Sequence, residues 1–414
     1  MMTPTDPLEN PHAPLGQTEF IVLIAALMSL QALGVDAMLP ALPAIGQSLR
    51  VVGENTTQWV IASYVFGFGF MQLVYGPLAD RYGRRPVLIA TMAGFALASI
   101  VASIAATFPL LIAARVLQGV MAASTRVLTT SIVRDCYSGR TMARIMSLAQ
   151  MLFFVVPILA PTVGSAILLV GPWRWIFWFL VVYAVVVCVW AAMRLPETLT
   201  VAKRRAISVA SLVSAWGETL GNRYSLGYAL ASTAMFGSIL GYVNSSQQLF
   251  ADVFGRPDIF PLAFAITAGS MGAMTFANAQ LVERFGTRRL SHSALIMLIA
   301  ISAFHLSIEL AGYQTLTNYL VLQAMTMACF GLTGANFSAM AMEPVGHIAG
   351  TASSIQGFLT TVGGGVIGVI IGQSFDGTTL PVSIGFLVVA STALVIVLIT
   401  EGGQLFTARN APVA

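Results

Sequence analysis

Long apolar runs separated by short polar loops dominate the chain. A helix that crosses a bilayer needs about 20 mostly apolar residues, because each residue rises 1.5 Å against a hydrocarbon core of about 30 Å. Runs of that length lie near residues 20–40, 57–77, 86–107, 109–131, 145–169 and 174–194. A polar stretch from Pro196 to Arg223 follows, and then six more runs near 225–249, 259–282, 290–310, 316–342, 349–373 and 380–400. The pattern predicts an all-α membrane protein with twelve transmembrane helices in two pseudo-symmetric six-helix bundles. Residues 1–19 and 403–414 are tails, 20–195 and 224–402 the bundles, and 196–223 a linker expected to hold a short amphipathic helix on the membrane surface.

Arginine placement orients these spans, since short cytoplasmic loops carry an excess of Lys and Arg. Loop 2–3 holds Arg81, Arg84 and Arg85, and loop 4–5 holds Arg134, Arg140 and Arg144. The linker holds Lys203, Arg204, Arg205 and Arg223, and loop 8–9 holds Arg284, Arg288 and Arg289. Twelve spans put all of these on one side and leave Arg50, Arg174 and Arg256 on the other. The crowded side is expected to be cytoplasmic, with both termini inside.

Composition agrees. The 414 residues are 57% apolar and 9% charged, against about 25% charged in an ordinary soluble domain. A water-facing surface cannot be built from so few charges, which excludes a soluble enzyme, a nucleic-acid binder and a disordered chain. The net charge of +4 reads as loop arginines at an anionic membrane face. Cys136, Cys188 and Cys329 are odd in number and match no metal or disulfide spacing, so they read as small core residues. The tail before the first run lacks Lys and Arg, so no cleavable signal is expected. His12, His292, His305 and His347 are scattered, and no phosphate-binding G-x-x-x-x-G-K-[ST] loop occurs. Neither an enzyme, a metal site, a cofactor nor an ATP-driven pump is expected.

The two sets of spans repeat. A shift of about 203 residues aligns Asp80-Arg81-Tyr82-Gly83 with Glu283-Arg284-Phe285-Gly286, each between the second and third helix of its half. A shift of 206 aligns Ser147-Leu148-Ala149-Gln150 with Ser353-Ser354-Ile355-Gln356, early in the fifth helix of each half. Parallel six-helix repeats imply a transporter with its site at the midplane between halves.

Loop 2–3 reads Gly76-Pro77-Leu78-Ala79-Asp80-Arg81-Tyr82-Gly83-Arg84-Arg85-Pro86-Val87-Leu88. It resembles the signature loop of the major facilitator superfamily, G-x-L-A-D-R-x-G-R-R-x-x-L, at every position. Arg115-Val116-Leu117-Gln118-Gly119 resembles the R-x-x-Q-G motif of that superfamily, and Pro157 to Gly164 its antiporter motif, with Ala160 and Ser165 in place of glycines. Gly34 to Pro43, Val133-Arg134-Asp135 and Ala349 to Ser354 are similar to the Bcr/CflA branch of drug:proton antiporters. The resemblance covers about residues 20–400. It implies a proton-coupled secondary transporter that exports small amphiphilic compounds by alternating access. It also implies residence in the bacterial inner membrane, with lipid, a small-molecule substrate and protons as partners. A monomer is expected and no nucleic acid. The latch between halves falls on Gly76, Asp80, Arg81, Gly83, Arg84 and Arg85, with Asp80 expected to face a helix N-terminus of the other half. Pro157, Pro161 and Gly164 mark an expected helix bend.

Charged side chains inside spans are costly and mark functional candidates. Asp36 and Arg115 sit at similar depth in helices 1 and 4. They are assigned to proton coupling, with Asp36 carrying the proton and Arg115 tuning it, or else to a static ion pair. Arg126 follows Arg115 by close to three turns and lies on the same face. It either attracts an anionic substrate, which makes an organic-anion or metabolite transporter the alternative function, or snorkels to the interface. Glu343 is expected to partner loop arginines, while Glu309 and Asp376, at outer helix ends, are expected to be solvated. Candidate cavity residues are Tyr64, Gln150, Phe154, Tyr242, Asn244, Gln247 and Asn336, with helix packing the competing role for each. Gly363-Gly364-Gly365, Gly368 and Gly372 read as a packing stripe in helix 11.

Overall fold

A computed structural model describes residues 15–407 other than 54, 201, 203 and 205–208. His12, Lys203, Arg205 and the side chain of Arg140 therefore lie outside the described residues. The first bundle comprises α1 (Gln17–Asp36), a short α2 (Leu42–Ser48), α3 (Trp59–Tyr82), α4 (Arg84–Ser103), α5 (Phe108–Cys136), α6 (Gly139–Val170) and α7 (Arg174–Arg194). The linker helix is α8 (Val209–Gly221). The second bundle comprises α9 (Arg223–Gln248), α10 (Phe260–Phe285), α11 (Thr287–Leu310), α12 (Leu316–Met342), α13 (Ala349–Phe358), α14 (Gly364–Gln373) and α15 (Leu380–Glu401). A π-helical turn, Leu359–Gly363, joins α13 to α14 as one span.

Eleven described stretches are long and apolar enough to cross a bilayer. One of them, Leu316–Gln373, has 58 residues, roughly three times what a single crossing needs. It reverses at Glu343–Ile348, where Pro344 follows Glu343 and Val345 leaves helical geometry. The chain therefore crosses twelve times. No strand occurs among the described residues, as lipid requires, since only helices satisfy every backbone group within one segment.

Local chemistry sets the helix ends. Phe108-Pro109, Phe260-Pro261 and Leu380-Pro381 open α5, α10 and α15, where proline's missing N–H costs nothing. Asn222 Oδ1 caps α9 by accepting from Tyr224 N and Ser225 N at 3.0 and 3.1 Å. Gly83 and Gly286 take φ of 104° and 80° in the matching loops that precede α4 and α11, a conformation open to glycine. Several helices outrun the hydropathy boundaries on the arginine-rich side, whereas α1 and α4 stop four residues short at the other. On the arginine-rich side α5 runs on to Cys136 and α6 begins at Gly139. Hydropathy marks the lipid-facing length, whereas a helix continues through the interface. α6 passes through both Pro157 and Pro161 as one helix.

The first described helix begins, at Gln17, and the last ends, at Glu401, at the arginine-rich end of the molecule. Arg194 and Trp190 hold Glu19 there, at 2.8 to 3.1 Å. At the other terminus Arg288 Nε meets Glu401 Oε1 at 2.8 Å, and Phe406 N donates to His292 Nδ1 at 3.2 Å. α3 and α5 approach most closely at Gly67 and Gly119. A Cβ on Gly119 would strike the Tyr64 carbonyl oxygen and lie 2.9 Å from Phe68 N.

Gly119→Val should therefore separate α3 from α5. An overpacked core loses about 3 kcal/mol, expected here as a lowered melting temperature in detergent. Gly334→Ala on α12, where a Cβ meets nothing within 4 Å, should melt like the unmodified chain.

Candidate functional site

Two motifs of the first bundle, that of Arg115 and the Pro-rich one, converge on the end of α1. Arg115, with no exposed surface, donates Nη2 to the Gly34 carbonyl at 2.7 Å and Nε to the Val60 carbonyl at 2.8 Å. Its Nη1 donates to Gln118 Oε1 at 2.9 Å, and Gln118 Nε2 donates to Ser99 Oγ at 2.7 Å. The guanidinium carbon lies 4.6 Å from the centre of the Tyr64 ring. One arginine thus ties α1, α3 and α5, and its Gln and Gly neighbours fall where the tie needs an acceptor and a close approach. From the α6 side, a Cβ on Gly164 would strike the Ala37 carbonyl and lie 2.9 Å from Pro40 Cγ. The glycine of the Pro-rich motif packs directly behind Asp36.

Asp36 is the last residue of α1 and 8% exposed. No ion pair joins it to Arg115: the guanidinium is occupied by carbonyls and Gln118. The expected similarity of depth is observed, because Arg115 bonds two residues before Asp36. The static ion pair is not formed, since carbonyls two residues away already fill the arginine's fork.

The ion pairs of the signature loop lie inside its own half. Arg84 meets Asp80 at 2.6 Å and Asp135, at the end of α5, at 3.1 Å. Asp80 therefore does not face a helix N-terminus of the other half in this conformation. The acid that serves a helix N-terminus here is Glu197 of the linker, which accepts from Arg84 N at 2.9 Å and Arg85 N at 3.3 Å. Arg85 also donates to the Ala192 carbonyl at 2.5 Å. Arg81 and Tyr82 are exposed. Gly76 faces the other half, since a Cβ there would lie 3.7 Å from Ser354 Oγ on α13. Sequence reasoning passed over Glu197; its one signal is an acid placed directly after the last residues of the sixth span.

The cavity candidates divide by exposure. Tyr64 and Tyr242 are buried, at 1% and 2%; Tyr64 lies under Arg115, and Tyr242 OH pairs with Thr267 Oγ1 at 3.2 Å. Asn336 is buried in a reciprocal amide pair with Asn278, at 2.9 and 3.3 Å. Asn244 Nδ2 donates to the Gly368 carbonyl at 3.2 Å, and Gln247 is buried beside it on α9. These five are not open to a ligand in this conformation. Gln150 and Phe154 are half-buried on α6, and Phe154 reaches the other bundle, where a Cβ on Gly272 would touch it at 3.9 Å. Arg126 is exposed in mid-helix, with no ion pair among the described residues. Glu343 meets Arg288 at 3.8 Å, as expected of a loop partner. Glu309 departs from expectation: it accepts from Thr379, and its Oε2 is buried rather than solvated, because α15 begins against the end of α11.

Arg115→Lys keeps the charge but loses the fork that reaches two carbonyls. Each charge-assisted bond contributes about 2 kcal/mol. The variant should unfold at lower temperature in detergent, and Ser99→Ala, which leaves the guanidinium bonds intact, should shift the transition much less.

Comparisons with known proteins agree with this geometry. The family model described as Major Facilitator Superfamily matches residues 24–369. An uncharacterized MFS-type transporter of Bacillus subtilis, YdgK, is 30% identical over 378 residues, covering 89% of this chain and 92% of that protein. The multidrug resistance protein MdtL of Klebsiella pneumoniae is 30% identical over 388 residues, covering 92% and 96%. Among solved structures, the xylose transporter XylE of E. coli in a partially occluded inward-open conformation aligns with a TM-score of 0.75 at 12% identity, over 95% of this chain and 99% of that one. The human organic anion transporter MFSD10 aligns with a TM-score of 0.68 at 17% identity, over 93% and 100%. With its twelve spans, paired loops and buried motif arginine, the chain belongs to the Major Facilitator Superfamily.

Proposed function

We propose that the chain exports small amphiphilic compounds in exchange for protons, as a drug:proton antiporter of the Bcr/CflA-like branch. The arginine-rich end faces the cytoplasm of a bacterial inner membrane, and residues 20–195 and 224–402 rock about the midplane as a monomer. Relatives named for multidrug resistance support the export of such compounds. One observation carries the proton step: Asp36 is a nearly buried carboxylate at membrane depth with no counter-ion among the described residues. A buried carboxylate must be neutralised by a proton, a cationic ligand or entering water. Exchange of these at one group is what antiport requires. Arg115 serves as the positioning residue. It pins the Gly34 carbonyl, and with Gly164 behind Ala37 it fixes where α1 stops and Asp36 begins.

A second function, transport of an organic anion held by Arg126, is favoured by one feature. Arg126 is exposed within a span that otherwise shields its charge, and a free guanidinium fork matches a carboxylate. Gln150 and Phe154, half-buried on the neighbouring α6, complete the proposed contact surface.

Inverted vesicles made acid inside should lose part of their gradient on addition of a substrate. Asp36→Asn should abolish that loss while leaving substrate binding to purified protein within about threefold, because the amide keeps the carboxyl's shape but carries no exchangeable charge. Coupled transport by Asp36→Asn at the unmodified rate would remove Asp36 from the proton path. Arg126→Gln should raise KM for anionic compounds roughly tenfold, the loss of one charge-assisted pair, and leave cationic ones unchanged. Equal effects on both classes would assign Arg126 to folding alone.

A further inference from the structure

One junction between the bundles takes no part in the proton step. At the arginine-poor end, the residues that open α3 meet the ends of α9 and α14. Gln58, 1% exposed, donates Nε2 to Gln248 Oε1 at 2.7 Å and to the Gly372 carbonyl at 3.0 Å. Gln373 Nε2 donates to the Asn55 carbonyl at 2.8 Å and to Gln58 Oε1 at 3.3 Å. Gln248 Nε2 donates to Asn55 Oδ1 at 3.0 Å. Asn55 Nδ2 donates to the carbonyls of Gln373 and Phe375 at 3.0 and 2.8 Å.

Each of these seven bonds joins the first bundle to the second, and each runs from an amide to an amide or carbonyl oxygen. The amide of Gln58 donates twice and accepts once, all within the junction. The approach is tight, because a Cβ on Gly372 would strike Gln58 Oε1. Beneath the junction the interior is sealed: Ser245 and Ser246 on α9, and Ala37, Met38 and Leu39 after Asp36, have no exposed surface. At the other end, by contrast, the ion pairs of the charged signature loop lie within its own half, and its backbone amides bond Glu197 of the linker. One further described amide bond joins the halves, Gln72 Nε2 to Thr361 Oγ1 at 2.9 Å, well along α3; the other described amide bonds between them cluster at the arginine-poor end.

We propose that this amide clasp is the lock of the outer gate, with Gln58 as its central residue, and that releasing it admits the outer solution to the seam above Asp36. The clasp suits a gate because amide bonds each contribute only about 1 kcal/mol net, as water replaces them when they part. Seven together close the gate firmly, yet none leaves a bare charge when it opens. Its placement on the outside rests on the orientation proposed above, and the test separates the two.

The test is labelling by a membrane-impermeant maleimide of Ser245→Cys, in a chain whose Cys136, Cys188 and Cys329 are alanine. With the clasp intact, labelling from the arginine-poor side should be slow. Gln58→Leu should speed it about tenfold, the effect of losing a few net hydrogen bonds, and Gln373→Ala, at an exposed position that tolerates change, should speed it to a lesser extent. Ser99→Ala, which breaks a bond inside one bundle, should leave the rate unchanged. Unchanged labelling in both clasp variants, or an equal rise in Ser99→Ala, overturns the lock. If Gln58→Leu does not elute as a single species, Gln373→Ala decides alone. Faster labelling seen in inverted vesicles but not in right-side-out cells keeps the lock and overturns the orientation.

Discussion

A guanidinium with no carboxylate beside it holds the first bundle together. Burying such a charge is costly unless every donor is engaged. Arg115 offsets that cost with a hydrogen bond from each of its three nitrogens, to two backbone carbonyls and one glutamine, and with an aromatic face beneath the guanidinium. The consequence is geometric. The Gly34 carbonyl cannot at once accept from the arginine and shift, so α1 is anchored where it ends. Tyr64, Gly119 and Gln118 are then placed by the same contact, because each touches the arginine or the helix it binds. Asp36 follows within two residues, and its exposure to either solution depends on a helix end whose position the arginine sets.

The two ends of the molecule are bonded by different chemistry. At the arginine-rich end, ion pairs join loops to helix ends: Arg84 to Asp80 and Asp135 in one half, Arg288 to Glu401 and Glu343 in the other. These stabilise each half separately, and several lie near water, where screening weakens them. At the arginine-poor end, amides join one half to the other. Rigid halves with a releasable seam are what rocking requires. An ion pair inside the seam would be expensive to break, whereas amides rehydrate on opening.

The halves are related in plan but not in their cores. Gly83 and Gly286 make the same turn in matching loops. Beyond it, Arg84 reaches the end of α5, while Arg288 reaches the end of α15 and shares Glu401 with the Tyr228 hydroxyl. In the first bundle Arg115 is buried without a carboxylate; the second buries its cation Arg288 against Glu401 and adds neutral pairs such as Asn278 with Asn336. A repeat can preserve backbone path and turns while each copy fills its interior differently, because packing needs only volume and satisfied polar groups.

The chain alone determined the twelve spans in two bundles, since lipid demands about 20 apolar residues per crossing and glycine turns at fixed places. Helix 7, predicted at 225–249, forms as Arg223–Gln248, and helix 10 was placed residue for residue at Leu316–Met342. The motif residues, Arg115 with Gln118 and Gly119 above all, were legible because their spacing is local to one helix, α5, although their contacts reach α1, α3 and α4. What each polar side chain bonds to was decided by tertiary structure. The pair Asn55 and Gln58, then Gln248, then Gln373 lie far apart in sequence, at the ends of three spans, and nothing in a single helix distinguishes an amide that packs within a bundle from one that joins two. Asp36 and Arg115 share a depth that sequence predicts, yet their separation depends on carbonyls of α1 and α3 that no side-chain pattern encodes. Glu197 and Glu309 found their partners, a helix N-terminus and Thr379, only because distant segments fold against them.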